Sequence, residues 1–474
     1  MSVWHRFRHQ VALRPDAPAL WQSDRTWTYA ELAAEAEELA GSLAGVAVEG
    51  NVVCSVVCTV HGAVLGLLGA SAAGTTLLPL AADESATRFG FVLDDSGAVA
   101  LLTEDPETGA LKVAPVAEGK AQGSVPAGSA YLMYTSGSTG QPKAVIVSQG
   151  ALLDRLDGLS QVPGLREGES MLALTAFTFD ICLAELLLPL TVGGTVIAAS
   201  AEARQQPDAF AADLERHRPD VTQATPSFWK FAIAGGWLGT GARRLWCGGE
   251  AMTPALARDL LSRCEELWNV YGPTEATIWA TADRVSDPNR IRLGPALPGS
   301  DLHLVDPNGA VLPVAAGVTG EIVLSGNGIA TGYLNRPDLT AASFDALPGL
   351  PTNHYRTGDF GRWAADGGLE FLGRRDGQVK LRGHRIELGE VEAALESHSE
   401  VSEAVVLLAR GDDPIRAHLV AVVVTTSPVA RLRAWLASRL PTVMIPRRTV
   451  TRPALPRTPA GKVDRTTLAR ELGL

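Results

Sequence analysis

Lysine is scarce in this chain, supplying 6 of its 41 basic residues against 35 arginines. Cysteine is scarce too. The five cysteines (Cys54, Cys58, Cys182, Cys247 and Cys264) are odd in number and form no Cys-x-x-Cys pair. That argues against a disulfide framework or a thiolate zinc site and fits a reducing cytoplasm. Cys54 and Cys58 lie in Val-Val-Cys-Ser-Val-Val-Cys, which reads as a buried strand. No uninterrupted apolar run approaches the ~18 residues that a membrane span needs. The opening Met1-Ser-Val-Trp-His-Arg-Phe-Arg is not followed by the apolar core of a secretion signal. Only His5 and His9 stand four apart, and no Glu follows His5 as a zinc-protease helix would require. A protein-bound transition metal is therefore not expected. A net charge of −11 argues against a nucleic-acid partner. Internal repeats and low-complexity segments are lacking as well.

At 474 residues the chain is too long for one small core, so a large domain with a smaller companion is expected. Its 46% apolar and 20% charged content is that of a globular protein. Charge is unevenly shared. Residues 377–474 carry 15 Lys+Arg against 10 Asp+Glu, and the rest of the chain carries 26 against 42. The mildly basic stretch could steer an acidic protein partner or be plain solvated surface. Thr28, with Glu31 three residues on, forms a capping box ahead of a helical pattern. Short apolar runs at 52–57, 76–80, 99–103, 144–147, 195–198, 220–224 and 245–247 then alternate with helix-like segments, the texture of α/β units. Around 291–325 the pattern changes to short strands broken by Gly and Pro. Residues 373–377 are a turn-rich joint, followed by a strand, an amphipathic helix presenting Leu388, Val391 and Leu395, two apolar strands (404–408 and 419–424) and a helix near 430–440. The expected fold is α/β: a large N-terminal domain (1–375) of mixed α/β sheets plus a β-rich subdomain, joined by a hinge to a small, mobile α+β C-terminal domain (376–474).

Residues 134–143, Tyr-Thr-Ser-Gly-Ser-Thr-Gly-Gln-Pro-Lys, follow the apolar run 130–133. Hydroxyls on Thr135, Ser136, Ser138 and Thr139, sharp turns at Gly137 and Gly140, and the charge of Lys143 suit a loop that grips phosphate. It is not a Walker loop, because Gln141 and Pro142 separate Gly140 from Lys143 and Ala144 follows. An ordinary flexible turn is the competing reading.

The decapeptide resembles the phosphate loop of the adenylate-forming superfamily, which holds acyl-CoA synthetases, beetle luciferases and the adenylation domains of nonribosomal peptide synthesis. Seven further segments from Thr28 to Arg465 match that family in order. By resemblance, the segment 269–275 is the adenine and metal motif. Tyr271 would stack on adenine, Asn269 would contact the adenine edge, Thr274 would meet the α-phosphate and Glu275 would hold Mg²⁺, an ion that favours one or two carboxylates plus substrate phosphates. Gly249, Glu250 and Gly272 complete the ATP-binding set on this side. The segment 355–359 resembles the ribose motif, with Asp359 accepting from both vicinal hydroxyls, and Arg374 matches an arginine near the ribose. Gly320-Glu321 and 332–337 match a segment read as structural. Asp376 falls at the pivot of the hinge. Segment 460–465 resembles the one bearing the catalytic lysine, Lys462. In a chain that favours arginine, lysine at 143 and 462 suggests that a compact point charge is required. The bland alternatives are an incidental acid at 275, a capping aspartate at 359 and solvated surface lysines.

The implied reaction is attack of a carboxylate on the α-phosphorus of ATP, giving an acyl-adenylate and pyrophosphate, with Lys462, Thr274 and Glu275 as the catalytic set. A thiol would then attack the adenylate after the small domain turns. Which acid is activated rests on Phe179-Asp180-Ile181-Cys182, since aspartate at this place pairs with the substrate ammonium in amino-acid-activating relatives. The competing reading makes Asp180 the N-cap of a helix over 181–188. Motif alignment lines the substrate pocket with Asp180, Ile181, Ala184, Gln223, Trp246, Gly248, Val270, Ile278, Trp279 and Lys462. Gln223 and the Ile278-Trp279 pair resemble glycine-activating members, and two indoles leave little room for a large side chain. Alternatively, both tryptophans pack in the core away from the pocket. Two departures from the family stand out: Ala144 where many relatives have glycine, and Cys182 where serine is commoner.

The expected function is ATP- and Mg²⁺-dependent activation of a small amino acid, glycine first and alanine second, for natural-product biosynthesis in the cytoplasm. The chain stops 12 residues after Lys462, so a stand-alone enzyme is expected, with a phosphopantetheinyl carrier protein supplied in trans and a small accessory protein as an optional partner. No nucleic acid and no membrane is expected as a partner. The alternatives are an acyl- or aryl-CoA ligase and an inactive nucleotide-binding partner subunit. The inactive subunit would predict losses at Lys462, Asp359 or Glu275, and all three residues are present.

Overall fold

The computed structural model describes residues 1–105, 107–116, 125–136, 142–241, 243–344, 346–350, 352–374, 378–411, 413, 416–425, 428–457 and 463–474. Gly137, Ser138, Thr139 and Gly140 of the expected phosphate loop, the hinge candidate Asp376 and the catalytic candidate Lys462 lie outside the described residues. The chain forms two compact units. One comprises Met1–Ala82, Leu93–Met133 and Ala144–Arg375, and the other comprises Asp83–Val92, Tyr134–Lys143 and Asp376–Leu474.

The first unit holds two large sheets whose strands alternate with helices, as the short apolar runs require. In the eight-stranded sheet the spatial order is Thr281–Val285, Glu266–Tyr271, Arg244–Gly248, Val221–Ala224, Ser170–Ala173, Thr195–Ala198, Pro18–Gln22 and Arg25–Thr28. Its centre is parallel and its two edges are closed by antiparallel strands. The seven-stranded sheet includes Val52–Val56, Thr76–Pro79 and Ala100–Glu104 in parallel. A separate four-stranded antiparallel sheet runs from Ser300 to Arg374. Helix Tyr29–Ala44 starts on the predicted capping box: the Thr28 hydroxyl accepts the Glu31 N–H at 3.2 Å, and the Glu31 carboxylate accepts the Thr28 N–H at 2.7 Å. Two reciprocal bonds fix where the helix begins.

One sequence expectation is corrected here. Cys54 is buried, and burial pushes its thiol up to about 12. Cys58, however, is exposed. The strand stops at Val56, and the chain turns into helix Val60–Ala73 with the Cys58 and Thr59 N–H groups bound to the Glu104 carboxylate. A carboxylate contributed from a neighbouring strand ends the run that apolarity alone would have extended.

In the second unit a hairpin of Gln378–Leu381 and His384–Glu387 precedes helix Leu388–Glu396. A three-stranded sheet follows, built from Val401–Ala409, His418–Thr425 and Arg448–Thr451. Val391 and Leu395 of the helix share a buried cluster with Leu419, Leu432 and Leu436. Among the described residues no helix is long and apolar enough to cross a membrane.

Candidate active site

Strand alternation sorts the candidate residues onto two faces of the eight-stranded sheet. Val221–Ala224, Arg244–Gly248 and Glu266–Tyr271 are parallel neighbours, in register at Gln223↔Trp246↔Trp268 and Gly248↔Val270. Residues in register, or two apart, share a face. Gln223, Trp246, Gly248 and Val270 therefore lie on one face, while Asn269 and Tyr271 lie on the other. All are at the carboxyl ends of their strands, where open α/β sheets place ligands.

Beyond Tyr271 the chain makes a tight return. A Cβ at Gly272 would meet the Ile278 carbonyl oxygen at 2.6 Å and Trp279 Cα at 2.7 Å, so only glycine lets the two passes of chain approach this closely. Thr274–Ala276 form one 3₁₀ turn, after which Thr277 and Ile278 take φ of 56° and 67°. Left-handed backbone at two consecutive β-branched residues is strained and persists only where the surroundings enforce it. Here the Ile278 N–H donates to Asp180 Oδ2 at 3.2 Å, and the Ala280 N–H to the Tyr271 carbonyl at 2.8 Å.

Asp180 does not cap the helix that follows. That helix spans Cys182–Val192, its N-cap is Ile181, and no side chain caps it. Asp180 instead sits 7% exposed facing the strained turn. Burial pushes its carboxyl up to about 6, with the Ile278 N–H and Thr274 pulling it back and Glu275 adding to the rise. Among the described residues no cation stands with the groups acting most strongly on it. A buried acid in this condition favours a cationic partner.

The residues expected to line a substrate pocket form a packed and bonded group. Ala184, Trp246, Val270, Ile278 and Trp279 belong to one buried apolar cluster. The indole of Trp279 lies against Gly248, where a Cβ would come within 2.8 Å of it. The Trp279 Nε1–H donates to Gln223 Oε1 at 2.6 Å, and Gln223 Nε2 donates to the Ile181 carbonyl at 3.0 Å and to Glu185 Oε1 at 2.9 Å. Both tryptophans are thus core residues, and Trp279 also packs within the group that holds Ile181 and Gln223.

On the face of Asn269 and Tyr271, Tyr271 and Asp359 meet. The Tyr271 hydroxyl donates to Asp359 Oδ2 at 2.5 Å, and Arg374 Nη1 donates to Asp359 Oδ1 at 3.0 Å. Pairing of Asp359 with Arg374 across two antiparallel strands sets this contact. Burial, with Asp359 beside it, holds the Tyr271 phenol well above its ordinary range. Asn269 turns its amide to the Arg292 carbonyl, 2.6 Å away. Glu250 accepts the Ser227 N–H and hydroxyl, at 2.9 and 2.5 Å, beside Gly249 in the left-handed region. Glu275 is fully buried and accepts the Tyr333 hydroxyl at 2.7 Å. Among the described residues no three His, Cys, Asp or Glu side chains converge as a metal site.

The described remainder of the phosphate segment belongs to the second unit. The Thr135 hydroxyl donates to the Lys143 carbonyl at 3.4 Å, and the Ser136 hydroxyl to the Arg385 carbonyl at 2.9 Å. Sequence reasoning missed Glu185, Tyr333 and the strain at 277–278.

Comparison with known proteins identifies the family. The family model described as AMP-binding enzyme matches residues 7–334, and the model of the AMP-binding enzyme C-terminal domain matches 390–462. A dimodular nonribosomal peptide synthase of Bacillus subtilis (strain 168) is 34% identical over 495 aligned residues, which cover 99% of this chain and 21% of the synthase. The chain therefore spans about a fifth of that relative's length. A crystal structure of a four-domain nonribosomal peptide synthetase bound to AMP and glycine superimposes with a TM-score of 0.72 at 33% identity, covering 98% of this chain and 36% of that one. A second synthetase protein, containing adenylation and PCP domains and bound to a vinylsulfonamide inhibitor, gives a TM-score of 0.83 at 26% identity, covering 99% and 84%. With family models matched in both parts of the sequence and the carboxylates and aromatics gathered at the strand ends, the chain belongs to the AMP-binding, adenylate-forming family of enzymes.

Proposed function

We propose that this protein activates a small amino acid, glycine first and alanine second, as an aminoacyl-adenylate with release of pyrophosphate, and passes it to the phosphopantetheine thiol of a separate carrier protein. The observation that carries the reading is Asp180: a buried carboxylate, raised by burial and bonded to the strained main-chain N–H of Ile278, a residue that shares one buried cluster with Trp246 and Trp279. The ammonium of an amino acid supplies the cation that this carboxylate calls for. Two buried indoles in one cluster with Ala184 favour a small side chain, because each indole fills a large volume. The relative solved with AMP and glycine points the same way. An ATP–pyrophosphate exchange screen across the amino acids should peak at glycine or alanine. A peak at phenylalanine, leucine or tryptophan, with the small acids inert, would reject the small-substrate pocket.

Tyr271, Asn269, Asp359 and Arg374 hold adenine and ribose in this reading, and Thr135, Ser136, Gly137, Ser138, Thr139, Gly140 and Lys143 hold the phosphates. Thr274 meets the α-phosphate. Glu275 fits Mg²⁺, because that ion takes one or two carboxylates together with substrate phosphates and needs no larger cluster of acids. When bound, the ion offsets charge on the phosphates. Positioning and charge carry the step. Asp376 serves as the hinge of a mobile domain running to residue 474. Asp376→Pro is expected to spare exchange while slowing thioester formation by about tenfold or more. Equal loss in both half-reactions would reject the hinge. The reaction takes place in the cytoplasm in this reading.

Asp180 also predicts a pH profile. Its folded-state value of about 6 lies above the ordinary ~3.9, so its contribution to stability is full below pH ~4 and is lost as pH rises through about 6. Substrate binding runs the other way, since only the ionised form pairs with ammonium. kcat/KM for glycine is expected to fall about tenfold per unit below pH ~6. Thermal melts should show Asp180→Asn gaining on the wild type at pH 7 and losing that advantage near pH 4.

A further inference from the structure

Glu185 is an acid placed inside an apolar helix, Cys182–Val192, with no exposed surface at all. Four donors hold it. The Leu174 and Thr175 N–H groups reach Oε2 at 2.8 Å each, and the Thr175 hydroxyl and Gln223 Nε2 reach Oε1 at 2.6 and 2.9 Å. Burial pushes the carboxyl up to about 7 against the pull of these bonds, led by Thr175. Nothing in the adenylation chemistry uses Glu185, yet a buried acid with four dedicated donors costs the fold a great deal to install.

We propose that Glu185 is a positioning residue for side-chain selection: acting through Gln223, it fixes the indole of Trp279 and so limits how large a substrate side chain the pocket accepts. The inference rests on the small-amino-acid reading above. It follows from the polarity of the chain of bonds. A carboxylate offers only acceptors, so Gln223 must turn its NH₂ toward Glu185 and the Ile181 carbonyl. That leaves the Gln223 carbonyl oxygen pointing at the Trp279 Nε1–H, 2.6 Å away. Protonation toward Thr175 Oγ1 leaves the direction unchanged, because the carboxyl oxygen still accepts from Gln223.

Glu185→Gln reverses the direction without changing the volume. The Leu174 and Thr175 N–H groups keep the new side chain's oxygen on their side, so its NH₂ faces Gln223. Gln223 must then turn over, which sets an NH₂ against the Trp279 N–H and a carbonyl against that of Ile181. Trp279 then loses its acceptor and its fixed orientation.

The test is ATP–pyrophosphate exchange with glycine, alanine, 2-aminobutyrate, leucine and tryptophan on the wild type, Glu185→Gln, Trp279→Phe and the double variant. Glu185→Gln is expected to raise kcat/KM for alanine relative to glycine about tenfold, the scale of one methylene's discrimination, while KM for ATP stays within twofold. Trp279→Phe, which removes the N–H, should shift the ratio in the same direction. The double variant should shift it no further than the larger single change. A ratio unchanged in Glu185→Gln, or two effects that multiply in the double variant, would overturn the relay. If Glu185→Gln does not fold, an unchanged ratio in Trp279→Phe would overturn it alone. A wild type that prefers leucine or tryptophan would overturn the small-substrate reading instead, and this proposal with it.

Discussion

Asp180→Ala is expected to lower glycine-dependent ATP–pyrophosphate exchange by about 10²–10³-fold, the scale of leaving one charge of a buried pair without its partner. ATP binding, measured separately, should stay within a few-fold. Propionate, which matches glycine in size but carries no ammonium, should gain relative to glycine in the same variant. Asp180 also accepts the Ile278 N–H that holds the strained turn, so alanine removes two things at once. Asp180→Asn separates them, since the amide oxygen can still accept that N–H but carries no charge. If Asp180 served only to brace the turn, Asn would behave like the wild type. If it recognises ammonium, Asn should be about as poor as Ala toward glycine. Unchanged glycine activation in both variants would remove the basis for an amino-acid substrate.

Lys462→Ala is expected to slow adenylate formation by about 10²–10³-fold, the cost of losing one preorganised donor aimed at developing charge. ATP affinity should change far less. Transfer from an adenylate supplied preformed should survive, because the proposed role confines the lysine to the first half-reaction. Arginine at 462 should not restore the rate, as a wide planar fork does not replace a compact ammonium. The scarcity of lysine gives this prediction its weight: in a chain with 6 lysines against 35 arginines, two stand at the proposed phosphate-loop and catalytic positions. Exchange within a few-fold of wild type would reassign the catalytic cation.

The elements were legible where local chemistry decides them. Thr28 and Glu31 specify a helix start by themselves, and the run 244–248 is short, apolar and bounded like a buried strand. Order within the sheets was not legible, because the pairing of Pro18–Gln22 with Thr195–Ala198 spans some 177 residues. The site divides the same way. Asp180, Gln223, Tyr271 and Asp359 could be picked out as residue types in motifs, but the contact of Tyr271 with Asp359 joins residues 88 positions apart. The left-handed backbone at Thr277 and Ile278 runs against what β-branched residues prefer, so no propensity could have announced it. Glu185 did leave a signal. A lone acid inside Cys-Leu-Ala-Glu-Leu-Leu-Leu-Pro-Leu is either a misplaced charge or a bonded one, and the structure supplies its four donors. Arg155 is the contrasting case, fully buried with no hydrogen-bond partner among the described residues on any guanidinium nitrogen.

The most direct test of the account compares three acids with the wild-type enzyme in the same exchange assay: glycine, propionate and benzoate, at saturating ATP. Recognition of an ammonium group by Asp180 predicts that glycine exceeds both of the others by about 10²-fold or more in kcat/KM. Propionate or benzoate equal to glycine, or better, would contradict it and make the protein an acyl- or aryl-activating enzyme.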